Sequence, residues 1–246
     1  MNSIGQEFMS KTRYRFMGES EQQRGAPQPP VELPVDSAKP AIALPKAETL
    51  PLEPVLLREL IEQRRSIRDY ASSPLSLPEL SYLLWCTQGV RDATPPRTSR
   101  NVPSAGARHA FETFLLINHV AGVPAGLYRY HATAHRLIEE RRGEGLGAEF
   151  SAACLGQDFV AGSAVTFIWA AVARRMTWRY SERGYRYLHL DAGHVCQNLY
   201  LAAESIGCGV CAIAAYDDDL LNRALQLDGR EEFAIYLAPI GKKKSG

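Results

Sequence analysis

The sequence predicts an α+β fold in which helices stack on a sheet. Three observations carry this. Three runs rich in β-branched and aromatic residues, Phe111–Ile117, Val165–Val172 and Phe233–Ile240, read as strands. A long helical pattern lies between the second and third of them, with Leu188, Ala192, Val195, Leu199, Ala202 and Ile206 at spacings of four and three. The order helix, helix, strand, hairpin, strand, long helix, strand also keeps the elements segregated and lacks regular strand–helix alternation.

Eight of the fifteen prolines fall in the first 54 residues, which leaves little freedom there for a helix or a central strand. Residues 1–52 are therefore expected to form an extended arm. Its apolar punctuation (Val31, Leu33, Val35, Ile42, Leu44) favours draping over a surface, its own or that of a second subunit. The main domain is expected over 53–246. A helix begins near Glu53 with the stripe Val55, Leu56, Leu57, Leu60, Ile61 and runs into the basic cluster Arg64–Arg68.

A second helix opens at Ser76-Leu77-Pro78-Glu79. Ser76 can cap, Pro78 sits in the tolerant first turn, and Glu79 closes a capping box before Gly89 ends the helix. Gly126–Tyr130 and Arg136–Glu140 form a hairpin. Gly207 stops the long helix, Leu188–Ser205, and Asp217 or Asp218 caps a last short helix ending at Leu225. No internal repeat is visible.

Lys and Arg total 28 against 27 Asp and Glu, a net charge of +1, and 46% of the 246 residues are hydrophobic. That excludes disordered and collagen-like chains. It gives no long-range field for nucleic acid or a membrane surface, so small-molecule chemistry is the better expectation. Five scattered cysteines, Cys86, Cys154, Cys196, Cys208 and Cys211, fit a reducing compartment. The first twenty residues have no apolar core of the length a signal peptide needs, and the weakly polar run Ala161–Ala173 is too short to span a bilayer. A cytoplasmic protein is expected.

Several short stretches offer chemistry. Arg64, Arg65, Ser66 and Arg68 at a helix end suit a phosphate, because guanidinium forks match it in bidentate fashion; the bland alternative is a solvated helix end answering the macrodipole. Pro103-Ser104-Ala105-Gly106 is a loop of small residues that lets a planar ligand approach backbone. Ile206–Tyr216 is another stretch of small residues, whose bare backbone NH groups suit the edge of a heterocycle, and the single Cys208-x-x-Cys211 lacks the second pair that zinc needs. No metal site is expected. His131 and His135 read as solvated turn residues, and His194 as a hydrogen-bonded structural residue on the long helix. Residues 174–187 interleave five arginines with four aromatics, a pattern shared with single-strand nucleic-acid binders, which the overall charge disfavours; the other reading turns Tyr180 toward a ligand pocket.

In this order, the chain resembles the nitroreductase superfamily of flavin enzymes and, within it, the SagB-type branch related to azoline dehydrogenases of modified peptides. The resemblance spans roughly residues 55–242. It is carried by Arg64-Arg65-Ser66-Ile67-Arg68-Asp69-Tyr70, Leu77-Pro78-Glu79-Leu80-Ser81, Pro103–Ala107, Arg179–Arg186, Asp191-Ala192-Gly193-His194 with Gln197-Asn198, and Ala212–Asp217. It implies a mostly antiparallel sheet packed by helices, an intertwined homodimer, and FMN at each side of the dimer interface. Arg64, Arg65, Ser66 and Arg68 would hold its phosphate and pyrimidine side, together with Pro103, Ser104, Ala105 and Gly106. Ala214 and Ala215 would face N5, and Lys242 or Lys243 would complete the phosphate site.

The branch's peptide-modifying members use a Lys-Tyr pair for proton removal, and the matching positions are Arg179 and Tyr180. Arginine stays charged and cannot serve as the base, so Tyr180 is the candidate, with the Arg179 charge favouring its phenolate form. The branch's following glycine is Ser181 here. The implied activity is hydride transfer between an azoline-like heterocycle, or a related small molecule or peptide, and flavin N5. Two alternatives stay open: an NAD(P)H-dependent nitro- or quinone-reductase, and a non-catalytic flavin- or peptide-binding partner of a modifying complex.

Overall fold

The computed structural model describes residues 3–94 and 97–244. The strands read from sequence appear as β4 (Phe111–Ile117), β5 (Gly126–His131), β6 (Arg136–Arg141), β7 (Val165–Val172) and β9 (Glu232–Lys242). With β1 (Ala41–Ala43) and β8 (Cys208–Val210) they form a seven-stranded sheet in the order β1-β6-β5-β4-β7-β9-β8, each pair antiparallel. A separate ribbon joins β2 (Val90–Thr94) to β3 (Arg97–Arg100). Its sequence is polar and without apolar alternation, so the ribbon gives no periodic signal.

The central strands are buried on both faces, which explains their near-continuous apolar runs. Phe111, Leu115 and Ile117 of β4, with Val165, Phe167 and Trp169 of β7, pack on one side against α3 (Leu77–Gln88) and α6 (Gly184–Glu204). Phe114, Leu116, Ile168 and Ala170 pack on the other against α4 (Leu146–Ala153) and α7 (Asp218–Leu225). Each such fully buried large side chain contributes about 1.5–3 kcal/mol.

The capping readings hold in detail. Ser76 and Glu79 form the capping box of α3, Gly89 is its C-cap, and the Asp217 side chain accepts from the Leu220 N–H to cap α7. Gly207 takes φ +67 beyond the end of α6, the left-handed conformation that glycine adopts without strain.

The helix expected from Glu53 is shorter. Pro54 holds the chain extended, so α2 covers only Leu57–Gln63, and its stripe points outward: Leu56 is 62%, Leu57 61% and Ile61 54% exposed.

The N-terminal segment is laid over the same chain. It opens with α1 (Ile4–Lys11), which lies ahead of the prolines and is capped by a Ser3–Gln6 box that the proline count obscures. The Leu33 N–H donates to Glu112, and the buried Arg129 and Arg175 donate to the carbonyls of Leu33, Pro34 and Pro30. Residues 41–43 then add the edge strand β1. Arg129 and Arg175 both pair with the buried Glu112, so the clasp is a charge-paired network, in which one terminal nitrogen of Arg175 has no hydrogen-bond partner among the described residues.

Candidate functional site

The basic motif follows α2. Arg64 is its C-cap, with the guanidinium 5.3 Å above the Tyr200 ring. Arg65 donates to the Glu62 and Arg64 carbonyls, and Ser66 Oγ lies 3.2 Å from the Tyr200 hydroxyl. Two anchors fix the backbone: the Ile67 N–H donates to Val210 O at 2.9 Å, and the buried Tyr70 hydroxyl donates to Ile67 O and Pro239 O. Gly209 is required here, because a Cβ on it would come within 2.5 Å of Ile67. Among the described residues, Arg64, Arg65 and Arg68 form no salt bridge, whereas Arg58, six residues before Arg64, pairs with Glu62. This donor set, three guanidinium groups and a hydroxyl without a carboxylate, fits a phosphate.

The Tyr200 hydroxyl also accepts from the Ala212 N–H at 2.8 Å, so one side chain ties Ser66 to the Ala212–Ala215 segment. Ala214 and Ala215 are exposed, and Ala215 O accepts from Gln157. Lys242 and Lys243 are committed elsewhere: their ammonium groups pair with Glu79 and Glu204.

The small-residue loop hangs on the middle of α6. The Ser104 hydroxyl donates to Asp191 at 2.6 Å, the Ala105 N–H reaches the same carboxylate, and the His109 N–H donates back to Ser104 Oγ at 2.9 Å. Burial raises the Asp191 carboxyl above its ordinary range, against the pull of the Ser104 and Ala105 bonds. Gly106, Ala107 and His109 all adopt positive φ (57°, 53° and 45°), so the loop is tightly wound. The buried His109 imidazole is pushed down to about 3 by burial, helped by Arg100 and Arg108.

Arg179 and Tyr180 end α5 (Ala173–Tyr180). The Arg179 guanidinium lies 5.6 Å from the Tyr180 ring centroid, and the Tyr187 ring meets Tyr180 edge-on at 4.8 Å. Ser181, where the branch has glycine, takes φ +48 and ψ −146, a conformation that glycine alone enters easily. The loop and the pair meet: a Cβ on Gly106 would stand 2.5 Å from the Tyr180 hydroxyl and 3.1 Å from Arg179. A cavity of about 370 Å³ beside the pair is walled by Tyr14, Met17 and Gln22 of the N-terminal segment.

The remaining arginines of 174–187 are used internally. Arg174 pairs with Glu21, Arg175 with Glu112, and Arg183 and Arg186 bond Thr12. Two histidine readings need correction. His135 is not solvated: its ring bridges Tyr130, Ser81 and the Pro45 carbonyl, because the hairpin turn packs on α3. His194 is half exposed, and its Nδ1 stays 4.0 Å from Asp191, beyond hydrogen-bond reach. Cys208 and Cys211 are buried, and burial pushes the Cys208 thiol up to about 12.

Asp191 and Tyr200 were absent from the sequence-derived site. Asp191 had left a signal, a carboxylate three residues after Leu188 on the apolar face of α6. The two anchors stand nine residues apart on α6, about 13 Å along its axis and about 180° around it. The basic motif and the small-residue loop therefore attach to opposite faces of one helix.

Residues 61–242 match the nitroreductase family. A nitroreductase homologue of Methanocaldococcus jannaschii is 39% identical over 202 residues, covering 82% of this chain and 96% of its own. A solved nitroreductase homologue of Ralstonia eutropha superposes with a TM-score of 0.70 at 26% identity, covering 89% of this chain and 95% of that one. The trifolitoxin-processing protein TfxB of Rhizobium leguminosarum is 30% identical over 147 residues, 58% of this chain and 39% of its own, a likeness that fits the SagB-type branch. The antiparallel sheet packed by helices is the family's fold, and the chain belongs to the nitroreductase family, a family of oxidoreductases.

Proposed function

We propose that the chain is an FMN-dependent oxidoreductase of the SagB-type group, working as a homodimer with one cofactor at each side of the interface. The observation that carries this reading is the contact between Gly106 and the Arg179–Tyr180 pair, which joins the small-residue loop to a candidate base. The anchoring of the loop and of the basic motif on opposite faces of α6 supports the dimer, since one protomer's α6 separates its own two segments. The outward stripe Leu56, Leu57, Ile61 supplies apolar surface for a partner.

In this reading Arg64, Arg65, Ser66 and Arg68 hold the phosphate, and Pro103–Gly106 of the other subunit line the ring. Ala214 and Ala215 present backbone to it. Lys242 and Lys243 support the site through Glu79 and Glu204, fixing the end of β9 to α3 and α6. When bound, FMN supplies an N5 that takes or gives a hydride. Tyr180 accepts the substrate proton, held in place by the Gly106 backbone and the Tyr187 ring, with the Arg179 cation beside it. The N-terminal segment walls the pair from water. The residues 1–52 thus form an arm laid over a flavin domain at 53–246.

The relative named for trifolitoxin processing favours the dehydrogenase direction on an azoline-like substrate. The Methanocaldococcus homologue favours the reverse, reduction of a nitro compound or quinone with NAD(P)H. Anaerobic NADPH added to the FMN-loaded protein separates the directions: persistent flavin colour is expected for the dehydrogenase, and immediate bleaching assigns the reductase. Tyr180→Phe should slow turnover by about a hundredfold or more while retaining FMN. Unchanged turnover overturns the role of Tyr180.

A further inference from the structure

The basic motif and the segment after β8 meet at a single phenol. Tyr200 stands half-buried on α6, with the Arg64 guanidinium 5.3 Å from its ring centroid. Its hydroxyl oxygen accepts from the Ala212 N–H at 2.8 Å and lies 3.2 Å from Ser66 Oγ. Ala212 is itself held from both sides by β9. The Cys211 N–H donates to Pro239 O, and Ile213 exchanges two bonds with Leu237, one through its N–H and one through its carbonyl. The Ala212 N–H is therefore a fixed donor, placed by the sheet whether or not Tyr200 is there.

The direction of the bond between Tyr200 and Ser66 follows from counting protons. A phenol has one to give. With the Ala212 N–H already on the oxygen, that proton has a single acceptor among the described residues, Ser66 Oγ. Were Ser66 the donor instead, the proton of a half-buried phenol would have no described acceptor, which is the costlier arrangement. Tyr200 therefore donates to Ser66. The Ser66 side chain is exposed and makes no other hydrogen bond among the described residues, so its own proton is left to point outward, among Arg64, Arg65 and Arg68. The bonds then run one way, from Ala212 N–H to Tyr200 to Ser66. Bonds in such a chain polarise one another, and an anion at the far end strengthens them.

We propose that Tyr200 is a positioning residue for the flavin phosphate: anchored by the Ala212 N–H, its hydroxyl aims the Ser66 hydroxyl at the phosphate, so that the site selects FMN over phosphate-free riboflavin. The inference rests on the FMN reading and deepens it. Arg65 and Arg68 are exposed and supply charge, which attracts any anion. The hydroxyl aimed by Tyr200 supplies direction, because its orientation is set before the ligand arrives.

The test is a double-variant cycle in the full-length protein, with the dissociation constants of FMN and riboflavin read from quenching of flavin fluorescence. Tyr200→Phe keeps the ring beside Arg64 and removes only the hydroxyl, and Ser66→Ala alters an exposed side chain. For FMN, Ser66→Ala should weaken binding about tenfold and Tyr200→Phe about fivefold, and the double variant about fifteenfold, where independent sites would give about fiftyfold. Riboflavin affinity should change by less than about twofold in each variant, since the backbone around Ala212 stays pinned to β9. Equal loss of both flavins in Tyr200→Phe marks a merely structural role and overturns the proposal, as does an additive cycle for FMN. The two readings fail separately: an additive cycle in a protein that binds FMN fails this inference alone, and a parent protein that binds neither flavin fails the FMN reading.

Discussion

Gly106 and Tyr180 are in contact across two elements far apart in sequence: the space a side chain on Gly106 would fill, 2.5 Å away, is held by the Tyr180 hydroxyl. Gly106 also sits at φ +57. Gly106→Ala should therefore destabilise the protein by about 1 kcal/mol from backbone strain and by more from the displaced hydroxyl. Tyr180→Phe removes that hydroxyl, so the double variant should recover part of the loss. Denaturant unfolding of the four proteins measures the coupling, and strict additivity would separate the two residues.

Ser181 tests whether the glycine of the family pattern has a backbone cause. At φ +48 and ψ −146 the serine is strained, and Ser181→Gly should stabilise by about 1 kcal/mol in equilibrium unfolding. A destabilised variant would mean that its side chain matters more than its backbone.

His109 makes stability depend on pH. Its folded pKa, about 3, lies below the ordinary 6.5, so between these values the unfolded chain binds a proton that the folded one does not. The contribution is fully present above pH 6.5 and is lost as pH falls toward 3. Asparagine tolerates the positive φ at this position, so His109→Asn keeps the loop geometry. The melting temperature of this variant should fall less steeply than that of the parent on acidification through this window, and identical slopes would rule out His109 as the source.

The outward face of α2 bears on assembly. Leu57→Glu with Ile61→Glu places two charges on surface that the dimer would bury, and should give monomers in analytical ultracentrifugation with reduced FMN retention. A dimer of unchanged affinity would place the interface elsewhere.

What was legible in the sequence was local. Ser76 with Glu79, Asp217 and Gly207 mark helix ends through bonds made within a few residues, and the runs that became β4 and β7 keep their boundaries because burial on both faces demands unbroken apolar residues. The partnerships that build the site were not legible, because they join residues 87 or 134 positions apart, as in Ser104–Asp191 and Ser66–Tyr200. The direction of the α2 stripe was not legible, because an apolar face carries no mark of whether its own chain or a second one covers it. The basic-aromatic stretch was ambiguous for a similar reason: arginines that bind Thr12, Glu21 and Glu112 look, in sequence, like arginines that await a ligand.

The central claim is the flavin, and its most direct test is FMN titration of the purified protein followed by visible absorbance, for the parent chain and for Arg64→Glu with Arg68→Glu. The account predicts a stoichiometric flavin spectrum for the parent and weakened binding, by about tenfold or more, for the double variant. A parent protein that stays colourless in excess FMN would contradict the assignment of the basic motif, the small-residue loop and the reaction together.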